Sequence, residues 1–432
     1  MTVAIIGGGL TGLTAAYRLS LSGEKIILFE KDTELGGLAG VVKINDFYLE
    51  KYYHHIFTSD TDAVALINDI GLSENLQWLE SRMGLYFRKK IYSFGTPVDL
   101  LKFKPLSLID KLRFGLTTLF LKSYSNWQKL ENITAVEWMN KYAGRNVCKV
   151  IWEPLLVAKF GKNYDKISMT WLWGKIKLRG NSRSDKDNRE RLGYLMGSFG
   201  LLINKLGEEI ENNGGKIFKG APVQKLDQGE NGKWIISSKG GTYEADKVLL
   251  TVAPAEILNL YSGFPEDYRR KIGNIDYAST VCMILILNRS FTYNYWENIS
   301  DNKIPFGGVI EHTNFIHPSH YNNLNILYIS NYLYKDESLY NIPDKELLEE
   351  YINHLKEMNP EFSQDWIIDY HVFRDEFAQP IMKLNYSKMI PDIKTPAKNL
   401  FIANMAQIYP EDRGMNYAVR LAGEAVKIIL KG

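Results

Sequence analysis

The stretch VAIIGGGLTGLTAAYRLSLSG, residues 3–23, decides the fold. Val3 to Ile6 form a short apolar, largely β-branched run of the kind that a buried parallel strand requires. Three glycines follow, and then small and apolar residues at helical spacing. In this strand, turn and helix, Gly7 permits the tight turn, Gly9 lets backbone approach a pyrophosphate, and Gly12 lets helix and strand pack closely. The helix start at Leu10, Thr11 and Gly12 offers unpaired N–H groups and a partial positive charge to phosphates. A second strand, KIILFE (25–30), ends at Glu30, 18 residues after Gly12, with Lys31 beside it. A carboxylate there accepts hydrogen bonds from ribose hydroxyls. Together these features predict a Rossmann-like dinucleotide site, which NAD and FAD satisfy equally well.

The continuation EKDTELGGLAG (30–40) adds Gly36, Gly37 and Leu38, the glycine pair following Glu30 after five residues. With this extension the chain resembles the flavoprotein superfamily of amine oxidases, protoporphyrinogen oxidases, carotenoid desaturases and UDP-galactopyranose mutases. The resemblance implies noncovalent FAD. It also implies one FAD domain assembled from the first, middle and last parts of the chain. By the same resemblance Val223 begins a strand beside the adenine, and the last helix, starting near Gly414 with Asn416 and Tyr417, aims its free N–H groups at the flavin. Many relatives place Gly-Asp at the end of the preceding strand. Here the pair is Asn404-Met405, so Asn404, Gln407 or backbone must hold the ribityl chain.

Periodicity divides the chain accordingly. Residues 1–79, 190–275 and 385–432 are expected to form the FAD domain, an α/β unit with a parallel sheet. Residues 80–189, mainly helical, and 276–384, an antiparallel sheet plus a helix, are expected to form an α+β substrate domain with a helical cap.

Two of only seven histidines stand together in FYLEKYYHHIFTSDTD (47–62). Were this segment extended, His54 and His55 would face opposite ways. The His55-Ile56-Phe57 phrase is similar to the histidine loop of UDP-galactopyranose mutases, which implies His55 near the flavin as a catalytic residue. Trp152, Glu153, Pro154 and Lys159-Phe160-Gly161 resemble a protoporphyrinogen-oxidase-like segment. If 169–179 is helical, Trp171, Lys175 and Arg179 share a face suited to stacking a ring and gripping an anion. The bland alternative is a solvated basic face over packed tryptophans. Arg374, Gln379, Tyr409 and Arg413 cluster near the C-terminal flavin segment; Lys159, Trp171, Lys175, Arg179, Arg374 and Gln379 are candidate substrate contacts, Tyr409 and Arg413 candidate catalytic residues. Asp412 reads as a helix cap.

Composition narrows the rest. Apolar residues make up 45% and charged residues 24%, ordinary for a globular protein, while 52 cations against 50 acids argue against nucleic-acid binding as a global property. Cys148 and Cys282 have no metal or redox spacing and read as buried thiols; no metal site is expected. With no basic leader pattern and no run of ~18 apolar residues, a cytoplasmic protein is expected. The basic, apolar segment 106–124 is suited either to a membrane surface or to packing within a domain. The resemblance implies FAD-dependent oxidation of a small molecule; the combination of His55-Ile56-Phe57 with the protoporphyrinogen-oxidase-like segment is similar to that in proteins of cell-surface polysaccharide pathways, which favours a sugar-nucleotide or cell-surface glycan precursor. The rivals are an apolar tetrapyrrole or isoprenoid dehydrogenase, a nonredox mutase using reduced flavin, and a flavin-binding scaffold without turnover.

Overall fold

Alternation along buried strands builds the first sheet. A computed structural model describes residues 1–181 and 190–431. Five parallel strands lie in the order Lys216–Phe218, Lys25–Phe29, Thr2–Ile6, Lys247–Leu250, Leu400–Ile402. The first, middle and last parts of the chain therefore meet in one sheet, as the resemblance implies. Val3, Ile5, Leu249 and Phe401 enter one core, and Ala4, Ile6, Val248, Leu250, Leu400 and Ile402 enter another. Strands covered on both faces have no solvated side, which is why these runs are apolar beyond their first residues.

The helix Leu10–Leu21 packs on the helices Gly200–Asn212 and Met415–Lys431 over the first core. The other core is closed by an antiparallel sheet of Val223–Gln228, Trp234–Ser238 and Gly241–Ala245, together with the helix Pro254–Leu260. At the head of the first helix, a Cβ on Gly12 would lie 2.0 Å from the Gly7 carbonyl oxygen. Only glycine lets the helix start so close to the turn.

The second sheet has seven strands, ordered Ile367–Pro380, Tyr277–Leu287, Asn325–Leu333, Gly308–Glu311, Trp296–Ile299, Met83–Phe87, Lys90–Ser93. All pairings are antiparallel except Trp296–Ile299 with Met83–Phe87. The helix Asp344–Met358 shares a core with one face of this sheet. Helices Leu108–Ser123, Ala135–Tyr142, Glu153–Phe160 and Met169–Asn181 gather around a separate core that buries Trp138, Trp152, Trp171 and Trp173.

Two expectations change. Residues 83–93, expected in a mainly helical insertion, form a hairpin within the second sheet. Its turn is Arg88-Lys89, both at positive φ (49° and 60°), where a two-residue hairpin normally uses Asn-Gly or Asp-Gly. The turn signal is therefore silent in the sequence. Residues 53–55 are not strand, so the alternation expected for the paired histidines does not apply. The expected end of the first insertion, at 189, falls in residues 182–189, outside the described residues.

Gly12→Ala forces the helix away from the turn, because backbone cannot yield as a flexible side chain would. We expect a loss of about 1–3 kcal/mol, seen as a lower chemical-denaturation midpoint, with no such loss in Gly115→Ala, whose Cβ would meet open space.

Candidate active site

Two glycine turns face each other at the carboxyl end of the parallel sheet. The Gly36 N–H donates to the Gly8 carbonyl at 2.8 Å, and Gly36 adopts φ +112°. The first helix begins after Gly9 with no side-chain cap and no acid in its first turn. Its first amides, at Leu10, Thr11 and Gly12, therefore have no capping side chain and suit a diphosphate. Glu30 is buried; its Oε2 accepts from the Gly8 N–H at 2.6 Å and its Oε1 from the Asp32 N–H at 2.9 Å. A carboxylate has about four lone-pair sites, so Glu30 is oriented with capacity left for ribose hydroxyls. The Ala221 N–H donates to the Glu30 carbonyl at 2.8 Å, which brings the strand beginning at Val223 beside that carboxylate. Lys31 is exposed next to it. This donor and acceptor set fits a dinucleotide.

A cavity of about 170 Å³ lies where the last helix begins, lined from the FAD-type segments by Leu38, Gly414, Asn416 and Tyr417. The second sheet supplies another wall: Thr280 pairs with Tyr332 and Cys282 with Ser330 across two antiparallel strands, and all four side chains line the cavity. The helix Met169–Asn181 contributes Lys175 and Arg179, and the helix Glu153–Phe160 contributes Lys159. His54 and His55 both line it, with Tyr52 and Tyr53. His54 Nδ1 is hydrogen-bonded to the Tyr52 carbonyl, and His55 Nδ1 lies 3.1 Å from the Tyr295 hydroxyl. Burial pushes the His54 imidazole down to about 4 and that of His55 to about 3, so both are neutral rings near pH 7.

Asp412 organises the cations. Its Oδ1 accepts from Trp171 Nε1 at 2.9 Å and from Gln379 Nε2 at 3.1 Å; its Oδ2 lies 2.7 Å from Lys175 Nζ and 3.7 Å from Lys159 Nζ. Burial opposes its charge, but Lys175, Lys159 and Arg413 outweigh burial and hold the carboxyl well below the usual range. Gln379 Oε1 in turn accepts from Arg413 Nε at 3.0 Å. The Tyr332 hydroxyl accepts from Arg413 Nη2 at 2.6 Å and Lys159 Nζ at 3.2 Å. Although burial raises its pKa, these two cations lower it further, so the phenol ionises below its ordinary value. The ring can thus release a proton more readily than a free tyrosine.

Several expected positions stand elsewhere. Tyr409 packs edge-on against Trp127 and beside Tyr386 in the helical core, and does not line the cavity. Trp171 is buried against Phe160, with ring centroids 4.6 Å apart. The Trp171, Lys175, Arg179 stripe does form, but its first member points into the core, so Trp171 positions Asp412 rather than stacking on a ligand. Arg374 sits opposite Val281, whose side chain enters the core beneath the helix Asp344–Met358. It donates to the carbonyls of Tyr340 and Ile342, each at 2.9 Å, and pairs with Asp344, on the wrong face of the sheet for a substrate contact. Gln379 is buried and orders Asp412 and Arg413 from behind. Asn404 donates to the Val252 carbonyl at 3.0 Å and accepts from the Ala406 N–H, while Gln407 closes the same turn, so both side chains are engaged in protein bonds. Asn416 Oδ1 accepts from the N–H groups of Asp62 and Ala63 at 2.9 and 3.0 Å, capping a helix in trans. Tyr332, Tyr53, Asp60 and Trp296 carry no spacing signal in the sequence; sheet register brings Tyr332 and Trp296 to the cavity, and the loop and helix start after the strand Phe47–Glu50 bring Tyr53 and Asp60.

Residues 10–430 match the family described as flavin containing amine oxidoreductase. The chain belongs to this family. Among curated proteins, it is similar to the mitochondrial protoporphyrinogen oxidase of Nicotiana tabacum, 27% identical over 171 residues that cover 39% of this chain and 34% of that protein. It is also similar to the chloroplastic/chromoplastic 15-cis-phytoene desaturase of Solanum lycopersicum, 26% identical over 292 residues, 62% of this chain and 48% of that protein. The matched region thus spans less than half the length of either relative. Reduced UDP-galactopyranose mutase shares the fold, with a TM-score of 0.77 at 16% identity over 100% of this chain and 95% of that one. As a member of the flavin amine oxidoreductase family, the protein has a site suited to a flavin, consistent with the dinucleotide groove and the adjoining cavity.

Asp412→Asn removes the one carboxylate shared by Lys159 and Lys175. It should cost about 3 kcal/mol, measured by denaturant titration, with Asp336→Asn at an exposed pair as the neutral comparison. Unfolded histidine titrates near 6.5, whereas His54 and His55 take up protons only near 4 and 3. Below pH 6.5 the unfolded chain therefore binds protons that the folded chain does not, and their contribution to stability falls as pH drops toward 4. The H54N/H55N variant should flatten the stability–pH profile between 6.5 and 4; an unchanged slope would count against buried neutral rings.

Proposed function

We propose that this protein is a FAD-dependent oxidoreductase acting on an anionic small molecule, of the sugar-nucleotide or glycan-precursor class. The observation that carries the substrate class is the charge of the cavity: among the described residues, Lys159, Lys175, Arg179 and Arg413 line it together with Asp60 and Asp412. An apolar polyene offers these cations no opposite charge. A diphosphate supplies the opposite charge and acceptors for bidentate arginine. Tyr52, Tyr53 and Trp296 add flat surfaces with polar edges suited to sugar and base.

FAD, when bound, supplies the hydride-accepting chemistry. Residues Leu10 to Gly12 hold its diphosphate, Glu30 its ribose, and the start of the last helix its ring. His55 borders the ring site as a neutral donor or acceptor. Tyr332, eased toward ionisation by Arg413 and Lys159, is placed to move a proton to or from the substrate. Attachment of FAD is noncovalent in this reading. Burial pushes the cavity thiol of Cys282 up to about 12, so it is a poor nucleophile near pH 7.

A nonredox mutase is the second reading, favoured by His55-Ile56-Phe57 at the cavity wall and by the fold shared with UDP-galactopyranose mutase. The test for both is to purify the protein, identify bound FAD by absorbance and mass, and mix it anaerobically with nucleotide sugars and with porphyrinogens. Bleaching of the flavin by a nucleotide sugar supports the first reading. Bleaching by a porphyrinogen alone overturns the substrate class, and sugar conversion that needs dithionite without net oxidation selects the mutase. Arg179→Met should raise KM for the anionic substrate roughly tenfold while leaving flavin content unchanged.

A further inference from the structure

Apolar side chains are unevenly distributed over the surface. Among the described residues, seventeen large apolar side chains are strongly exposed, and eight of them fall between Val98 and Phe120. Six belong to the helix Leu108–Ser123: Leu108, Ile109, Leu112, Leu116, Leu119 and Phe120, each 51–78% exposed. At about 100° per residue they fill one stripe about 120° wide. The buried members Thr117 and Leu121 lie on the opposite side, against the protein. The helix therefore packs by one face and turns a second apolar face outward. Val98 and Leu101, on the helix Pro97–Lys102, extend the same exposed set.

Cations border it. On the helical wheel Lys111 and Lys122 fall at one edge of the stripe and Arg113 at the other; Lys102 and Lys104 sit in the approach to the helix. The only two acids in 97–123, Asp99 and Asp110, close capping boxes with Thr96 and Ser107, and Asp110 also accepts from Asn146. The segment thus carries five cations and two acids committed to helix ends. The helix has 16 residues, about 24 Å at 1.5 Å per residue, and no helix among the described residues is long and apolar enough to cross a membrane. An outward apolar stripe with basic edges suits a helix lying in the plane of an interface.

We propose that residues 97–123 dock this protein on the surface of an anionic lipid bilayer, the apolar stripe entering the acyl boundary and the bordering lysines and arginine meeting the headgroups. A second copy of the chain is the weaker occupant. Pairing two such stripes would bring two cationic borders together with no free acid between them, a like-charge contact that costs affinity. A bilayer of acidic lipid answers both the apolar area and the charge.

The test is co-sedimentation of the full chain with vesicles of 1:1 phosphatidylcholine and phosphatidylglycerol, and with phosphatidylcholine alone. Expected is binding to the anionic vesicles that weakens in 0.5 M salt, is much weaker on phosphatidylcholine, and falls roughly tenfold or more in L112S/L116S. These positions are exposed, so the variant should keep its melting temperature. A K104E/K122E variant should lose the preference for anionic lipid while keeping the fold. Failure to sediment with either vesicle, undiminished binding by L112S/L116S, or a concentration-dependent dimer abolished by L112S/L116S without vesicle binding would each overturn the proposal.

Discussion

A single buried carboxylate ties the walls of the cavity together. Asp412 sits on the last segment of the chain, 2% exposed, and meets Trp171 and Lys175 from one helix, Lys159 from another and Gln379 from the long edge strand of the second sheet. Through Gln379 it reaches Arg413, and through Arg413 and Lys159 it reaches Tyr332. A buried charge is tolerated only when paired and hydrogen-bonded, so each of these elements must be in place before the cluster forms. The same arrangement gathers Lys159, Lys175 and Arg413 at one wall of the cavity.

The dinucleotide groove depends on a different constraint, that of close approach. The first helix starts against its own turn because Gly12 has no Cβ, and the second glycine pair is stapled to the first through Gly36 and Gly8. Backbone donors there serve a phosphate without requiring any charged side chain. The groove and the cavity therefore rest on separate physics: oriented amides at one end, and side-chain charge held by Asp412 at the other.

The groove was legible because it is local. Residues 3–40 carry the strand, the glycines and Glu30 in one short stretch, and the parallel strands announced themselves as unbroken apolar runs. The long antiparallel strands and the helix Asp344–Met358 were readable for the same reason. The hairpin at 83–93 was not, since its turn uses Arg88 and Lys89 where the expected signal is asparagine or glycine. At the cavity, Lys159, Lys175, Arg179, Arg413 and His55 were identified as candidates, but Tyr332 was not, and Tyr409, Trp171 and Arg374 proved to be packed or turned away.

What the sequence determined by itself was the set of local commitments: unbroken apolar runs that must be buried on both faces, a glycine turn that admits a phosphate, and a basic, apolar segment at 106–124. What only the tertiary structure decided was which charges share a space. Trp171 and Asp412 are 241 residues apart, Lys159 and Tyr332 173, and Arg413 and Tyr332 81. Their meeting depends on strand register and on which face of a sheet a side chain leaves, and a shift of one residue sends it to the opposite side. Short-range propensity holds no information about that choice; long-range packing does.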